Sequence, residues 1–279
     1  MIKKLNRNEC KIKYNFKIFS FNFVKIIKYK TGKMLKLIIT LKIVLIFNIL
    51  LNSQSSEPVD PKSTEDWSSA PRLINGLKSA NDVPSDAVIL LNKDKMNWLK
   101  KDGSASEWDF DNGILTVKPG AGDIISKYAF EDCHLHLEWR SPILIKGEGQ
   151  GRGNSGIFLQ SRYEIQILDC FNNETYYNGQ AASVYKQHPP LFNACSKTGE
   201  WNTYDIIYKA PVFDMVGNKI ASARATVIHN GIVVQNNTEI FGTTEYIGYP
   251  KNIFHGGAPL ILQDHGDLVS FRNIWVRRL

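Results

Sequence analysis

The sequence has few cysteines, no long apolar run and no sustained helical periodicity, and each shortage excludes something. Cysteine occurs four times in 279 residues. No CxxC pair and no Cys/His spacing of the zinc-binding kind is present, which excludes a structural zinc site. The longest apolar run, residues 37–51, is about fifteen residues and is broken by Lys42 and Asn48, whereas a membrane-spanning helix needs about twenty. Nowhere do apolar residues recur at helical spacing for more than two turns, so an α-helical core is not expected. An acidic surplus is also missing: 34 Lys+Arg against 27 Asp+Glu give a net charge of +7. Such a balance ordinarily suggests nucleic acid or an anionic membrane as partner. The excess is local, however. Residues 1–56 hold twelve basic residues and one acid, Glu9, while residues 57–279 hold 22 basic and 26 acidic ones, a net charge of −4. No nucleic-acid partner is therefore expected for the folded part.

Met34 and Lys36 ahead of the apolar run, and the small polar stretch Asn52–Ser56 behind it, form the pattern of a secretory signal peptide over residues 34–56. Residues 1–33 are then a basic extension, an upstream start-site artefact with Met34 as the true start. An uncleaved amphipathic anchor is the alternative. Either way, membrane contact is expected only through this N-terminal segment, with the protein exported to the periplasm or outside the cell. Residues 57–84, rich in Ser, Pro, Asp and Lys, read as a linker, and 85–279 as one large domain. Export would permit one disulfide. Cys170 with Cys195 would close a loop of about 25 residues, stabilising by about 3 kcal/mol in the chain-entropy account. Cys133 sits in an alternating strand and reads as a small buried hydrophobe.

From residue 85 onward the pattern is short alternating runs separated by turn residues. Strands are expected at 87–91, 108–110, 114–117, 123–126, 133–140, 156–160, 163–168, 204–209, 223–229, 232–235, 259–263 and 268–277. The stretch Ala225–Val234 carries Asn230-Gly231 between two alternating runs, a strong hairpin signal. Many strands and no convincing helix point to an all-β fold, an antiparallel β-sandwich of jelly-roll type.

Within Tyr163-Glu164-Ile165-Gln166-Ile167-Leu168-Asp169, alternate side chains share a face, so Glu164 and Gln166 point together while Ile165 and Ile167 pack inward. Asp169 falls on the other face unless a bulge at Leu168 turns it back. The spacing resembles the catalytic strand of laminarinase- and lichenase-type glucanases, with Gln166 in place of the middle acid. Two carboxylates on one strand would suit acid/base work on a sugar; a solvated polar face is the plain alternative. Directly upstream, Gly147–Gly156 alternates glycines around Arg152 and Asn154. No strand–helix context supports nucleotide binding there, so a loop that approaches a ligand closely is the better reading. Gln263-Asp264-His265-Gly266 precedes the last strand and offers a histidine base. His134, His136, Glu138 and Arg140 share one face of strand 133–140, a polar row that would serve as a binding face but is expected to be a solvent-facing sheet surface. Tyr176, Tyr177, Tyr185, Phe192 and Trp201 gather in segment 170–203, as stacking surfaces for sugar rings would, whereas Trp98, Trp108 and Trp139 read as core.

Ten segments taken together, among them Pro84–Leu91, Asn112–Pro119, Leu135–Arg140, Gly153–Gln160, Tyr163–Asp169, Gly179–Tyr185, Gly199–Asp205 and Gln263–Val276, resemble the 3-keto-disaccharide hydrolase domain family, also described as 3-keto-glucoside 1,2-lyase/3-keto-2-hydroxy-glucal hydratase. The resemblance covers about 84–279 and implies a concanavalin-like jelly roll, usually exported, acting on glycosides oxidised at C3. It implies substrate contacts from Arg152, Asn154, Gln166, Tyr185, Trp201 and Gln263, and catalytic roles for Glu164, Asp169 and His265. His265 or Glu164 would be the base, Asp169 the acid for the leaving group, and Arg152 or Asn154 the donors to the C3 oxygen. No cofactor is expected, although a divalent metal held by carboxylates and His265 would be another way to polarise the ketone. The competing readings are a laminarinase-like hydrolase of unmodified glucans and a non-catalytic sugar-binding module. Nothing in the sequence specifies an oligomeric state.

Overall fold

A computed structural model describes residues 82–279 continuously and a few positions between 65 and 75. The expected extension 1–33 and signal peptide 34–56 lie outside the described residues, as does much of the linker. The chain divides into two compact units, Met1–Pro71 and Arg72–Leu279. Of the first, only isolated positions are described, including Asp66, whose Oδ1 accepts the Ser68 N–H at 2.9 Å. Among the described residues no helix is long and apolar enough to cross a membrane.

The second unit is built from strands. In chain order they are β1 (Val88–Asn92), β2 (Lys95–Met96), β3 (Trp98–Lys100), β4 (Asp109–Asp111), β5 (Ile114–Thr116), β6 (Ile124–Phe130), β7 (Cys133–Arg140) and β8 (Ser155–Leu159). There follow β9 (Tyr163–Ile167), β10 (Asn202–Lys209), β11 (Val212–Phe213), β12 (Lys219–Ala221), β13 (Ala223–His229), β14 (Ile232–Ile240), β15 (Ala258–Leu262) and β16 (Ser270–Arg278). The larger sheet runs β14-β13-β10-β7-β16-β1-β2, with the β4–β5 hairpin attached through β16. The smaller runs β3-β6-β15-β8-β9. Pairings are antiparallel throughout. This is the all-β sandwich of jelly-roll type expected from the strand pattern.

Period-2 alternation explains why these segments pair as they do. In β7, Cys133, Leu135, Leu137 and Trp139 turn inward and are buried. In β9 and β8, Ile165, Ile167, Ile157 and Leu159 do the same from the smaller sheet. Burying each such side chain contributes roughly 1.5–3 kcal/mol. Trp98, Trp108 and Trp139 all belong to this core. The Cys133 thiol, buried among them, is pushed up to about 12 by loss of hydration. The β13–β14 hairpin turns at Asn230 (φ 50°) and Gly231 (φ 80°), both in the left-handed region that a tight primed turn requires.

One expectation is corrected. The outward row of β7 does not face solvent, because His136 and Glu138 are buried. Asp205 Oδ1 bonds both His134 Nε2 (3.2 Å) and His136 Nδ1 (2.9 Å). Glu138 accepts from Arg272 Nε at 2.6 Å and from Asn273 Nδ2 at 2.9 Å. Burial works against ionisation of Asp205, yet the two imidazole hydrogen bonds outweigh it and hold the carboxyl well below the usual range. The register shifts between Arg272 and Trp275, with Asn273 at φ 48°, and Trp275 stacks on His136 at 5.0 Å. Polar residues can thus form a covered layer, which alternation alone does not reveal. The short strands β2, β3, β11 and β12 also escaped the sequence pattern, being too brief to show a period.

Leu135 is fully buried where the two sheets meet. Leu135→Ala should lower unfolding stability by about 2–5 kcal/mol, read as a reduced denaturation midpoint with an unchanged urea m-value.

Candidate active site

The site lies on the outward face of the smaller sheet. Glu164 and Gln166 project from β9 opposite Phe158 and Gly156 of β8. The Gly156 carbonyl accepts the Gln263 N–H at 3.1 Å, which aligns the end of β15 alongside. Together with Asn154, Tyr185, Thr244, Tyr246 and His265, these residues line a pocket of about 260 Å³. That is slightly below the roughly 300–1,000 Å³ of clefts for drug-sized ligands and suits a single sugar ring.

Gly156 suits this geometry. A Cβ built there would stand 2.6 Å from Glu164 Oε1, so a side chain at this position would push the carboxyl out of its place. Glu164 is 4% exposed. Its backbone N–H donates to Thr244 Oγ1 at 2.9 Å, but no described residue donates a hydrogen bond to its carboxyl oxygens. Burial, and secondly the charge of Asp123, push its pKa up to about 8. Isolated burial favours the neutral acid, and a nearby carboxylate adds to the same preference. Glu164 therefore titrates near neutral pH, where a general base or acid is most effective.

Gln166 is held differently. Its Nε2 donates to Gln150 Oε1 (3.0 Å) and Asn154 Oδ1 (3.4 Å), leaving its buried Oε1 without a partner. Gln150 is in turn fixed by Thr175 Oγ1 and the Gly179 carbonyl. Asn154 Nδ2 is committed to the Gln150 carbonyl at 2.7 Å. The Gln263 side chain makes no hydrogen bond within the described protein, and its Oε1 is buried. Buried amides of this kind normally find partners, so Gln166 and Gln263 present hydrogen-bonding capacity that a ligand's hydroxyl groups would satisfy. Tyr185 bonds Tyr176 through their hydroxyls at 2.6 Å. Burial and that contact raise its pKa, keeping the phenol neutral. His265 is exposed at the lip.

Three of the expected site residues are not brought to this pocket. Asp169, just beyond the end of β9, turns away: its Oδ2 accepts from Arg152 Nε (2.9 Å) and from Thr198 Oγ1 (2.9 Å). Arg152 also donates to the Phe171 and Asn172 carbonyls and to Thr198. This buried pair ties the glycine loop to the start of segment 170–203, and its charges are spent on the protein. Trp201 packs on the larger sheet, with Arg140 and Arg272 guanidiniums 4.7 and 4.1 Å from its ring. The expected bridge is not formed either. Cys170 and Cys195 are free thiols in contact, and the hydrogen bond between them, with burial, raises the Cys195 pKa. Cys170 Sγ accepts the Ala181 N–H at 3.0 Å, so polar contacts fasten the loop without a covalent link. Among the described residues no three His, Cys, Asp or Glu side chains converge as a metal site. Sequence reasoning missed Phe158, Thr244 and Tyr246. The first lay in a recognised strand, but the other two come from the loop after β14, for which no local pattern marked proximity to β9.

The architecture and the site define a concanavalin-like β-sandwich with a polar pocket on its smaller sheet. The profile of the 3-keto-alpha-glucoside-1,2-lyase-like domain family matches residues 86–277, and the chain belongs to that family. It is similar to the 3-keto-disaccharide hydrolase of Bacteroides thetaiotaomicron, 25% identical over 64% of this chain and 72% of that protein. A crystal structure from Parabacteroides distasonis, described as a candidate glycosyl hydrolase, is 46% identical with a TM-score of 0.76, covering 81% of this chain and 99% of that one. A second from the same organism, similarly described, shares the fold at 19% identity and a TM-score of 0.53, covering 74% of this chain and all of that one.

Two outcomes check the site. Arg152→Met should destabilise the fold by about 3–5 kcal/mol, since Asp169 is left buried and uncompensated; equilibrium denaturation measures it. Asp123→Asn should lower the Glu164 pKa from about 8, because removing a neighbouring negative charge favours the carboxylate; carbon-detected NMR titration follows that shift.

Proposed function

We propose that this protein cleaves 3-keto-glycosides by elimination across C1–C2 followed by hydration, for a net hydrolysis, with Glu164 as the base. The observation that carries the reading is the Glu164 carboxyl: buried, without a hydrogen bond in the pocket, and titrating near 8. A glucosidase acting on unmodified sugar needs two carboxyls flanking the bond. Glu164 is the one carboxylate among the described lining residues, with Gln166 beside it. One base suffices when a ketone at C3 acidifies the C2 proton.

In the first step Glu164 takes the C2 proton, negative charge builds on the C3 oxygen, and the C1–O bond breaks. The departing oxygen takes a proton from His265 at the lip. In the second step water adds at C1 and gives a proton to His265, while Glu164, its carboxyl proton having exchanged with solvent in the pocket, protonates C2. The donor to the C3 oxygen is the Gln263 amide, whose side chain makes no hydrogen bond within the described protein. Gln166 Oε1 accepts from a sugar hydroxyl. Arg152, Asn154 and Asp169, whose polar groups are already engaged, act here as positioning residues for the glycine loop and for Gln166. We further propose that the enzyme works outside the cytoplasm, on the strength of the pattern at residues 34–56.

The base must be charged to act, and a raised pKa means that it keeps its proton until the pH nears 8. At pH 7 about a tenth of the molecules carry the carboxylate. kcat/KM on a 3-keto-glucoside should rise as the pH approaches about 8 and Glu164 loses its proton, then fall at higher pH where the acid for the leaving oxygen is lost, and Glu164→Gln should reduce it by about 10²–10⁴-fold. Binding without turnover in the unaltered protein, or full activity in Glu164→Gln, would contradict the proposal.

A further inference from the structure

We infer that the loops beside the sugar pocket form a binding site for an apolar, aromatic aglycone, so that the preferred substrates carry a non-sugar leaving group. This rests on the function proposed above. A second cavity, of about 200 Å³, is walled by Pro119, Pro142, Leu144, Ile145 and Leu268, with the Arg152–Asp169 pair among its lining residues. Its position is set by the same two loops that build the sugar pocket. Asn154 lines the sugar pocket and Gly153 the cavity; His265 lines the sugar pocket and Gly266 the cavity. A hydrogen bond from the Asn154 N–H to Asp267 Oδ2 at 2.8 Å holds the two loops together. The group proposed to protonate the leaving oxygen, His265, is thus a chain neighbour of the cavity wall, which is where we seat the departing aglycone.

The chemistry of the walls selects the ligand. A second sugar would need several free donors and acceptors. Here Arg152 makes four hydrogen bonds to protein, Asp169 accepts from Arg152, Thr198 and the Phe171 N–H, and Asp267, which also lines the cavity, accepts the Asn154 N–H through Oδ2. The apolar walls continue outward into exposed side chains: Ile143 is 78% exposed, Leu144 70%, Ile145 54% and Leu268 49%. Three consecutive large apolar residues held in water mark an interaction surface. Lys146 lines the cavity from the same loop and brings a cation that an aromatic face attracts. A flat aromatic group fits walls of proline, leucine and isoleucine better than a hydroxylated ring.

The test compares 3-keto derivatives of a 2-naphthylmethyl glucoside and of a disaccharide, whose leaving alkoxides are similar. In Leu144→Ser/Leu268→Ser, kcat/KM for the naphthylmethyl substrate should fall about tenfold, with the disaccharide changed less than twofold. An equal loss on both, or no loss on either, would overturn the inference. If neither substrate is turned over by the unaltered protein, the proposed function fails and the cavity is judged by binding alone. Fluorescence titration with the unoxidised naphthylmethyl glucoside should then show binding that weakens about tenfold in the double variant; no binding, or unchanged binding, rejects the site.

Discussion

A carboxyl group buried with no hydrogen-bond donor is costly to ionise, and the Glu164 side chain is kept in that state by the sheet beneath it. Ile165 and Ile167 anchor β9 in the core on the other face of the strand. Gly156 on the paired strand gives up its side chain so that the carboxyl has space. Thr244 engages the Glu164 main chain while leaving its carboxyl alone. The sandwich therefore does more than support the pocket, since its packing buries the Glu164 carboxyl without offering it a donor and so raises its proton affinity.

The remaining polar groups around the pocket divide into committed and uncommitted. Arg152, Asp169 and Asn154 are bound to protein partners and give the glycine loop one conformation. Gln166 and Gln263 have amide capacity to spare, and Tyr185 is kept neutral by burial and its contact with Tyr176. A site in which a rigid outer layer holds a few unpaired groups is organised before the substrate arrives, which limits the reorganisation needed during reaction. The same division explains why a charged side chain in the right part of the sequence need not touch the ligand.

Strand positions, the Asn230-Gly231 turn and the tryptophan core were legible in the sequence because each follows from local periodicity or turn chemistry. So was the shared face of Glu164 and Gln166, which period-2 alternation dictates. The Arg152–Asp169 pair was not legible. Both residues stood out, but a buried ion pair and two ligand-binding residues look alike until their partners are seen. Trp201 misled for a similar reason: an aromatic in a loop suits a sugar, yet here two guanidiniums occupy its ring. Thr244 and Tyr246 reach the site through long-range packing of the loop after β14, for which the sequence carries no short-range mark. The outer row of β7 shows alternation naming a face without saying whether that face is wet.

The central claim is that catalysis begins with removal of the C2 proton by a carboxylate held close to neutral pKa. Turnover of a 3-keto-glucoside in D2O, followed by NMR of the released sugar at early times, addresses it directly, with the proton at C4 as the control for spontaneous exchange. The account predicts deuterium at C2 of the product, at a level set by turnover and well above that at C4. A product bearing the original hydrogen at C2, together with no primary isotope effect on kcat/KM for the C2-deuterated substrate, would show that the bond breaks by direct displacement, and would contradict it.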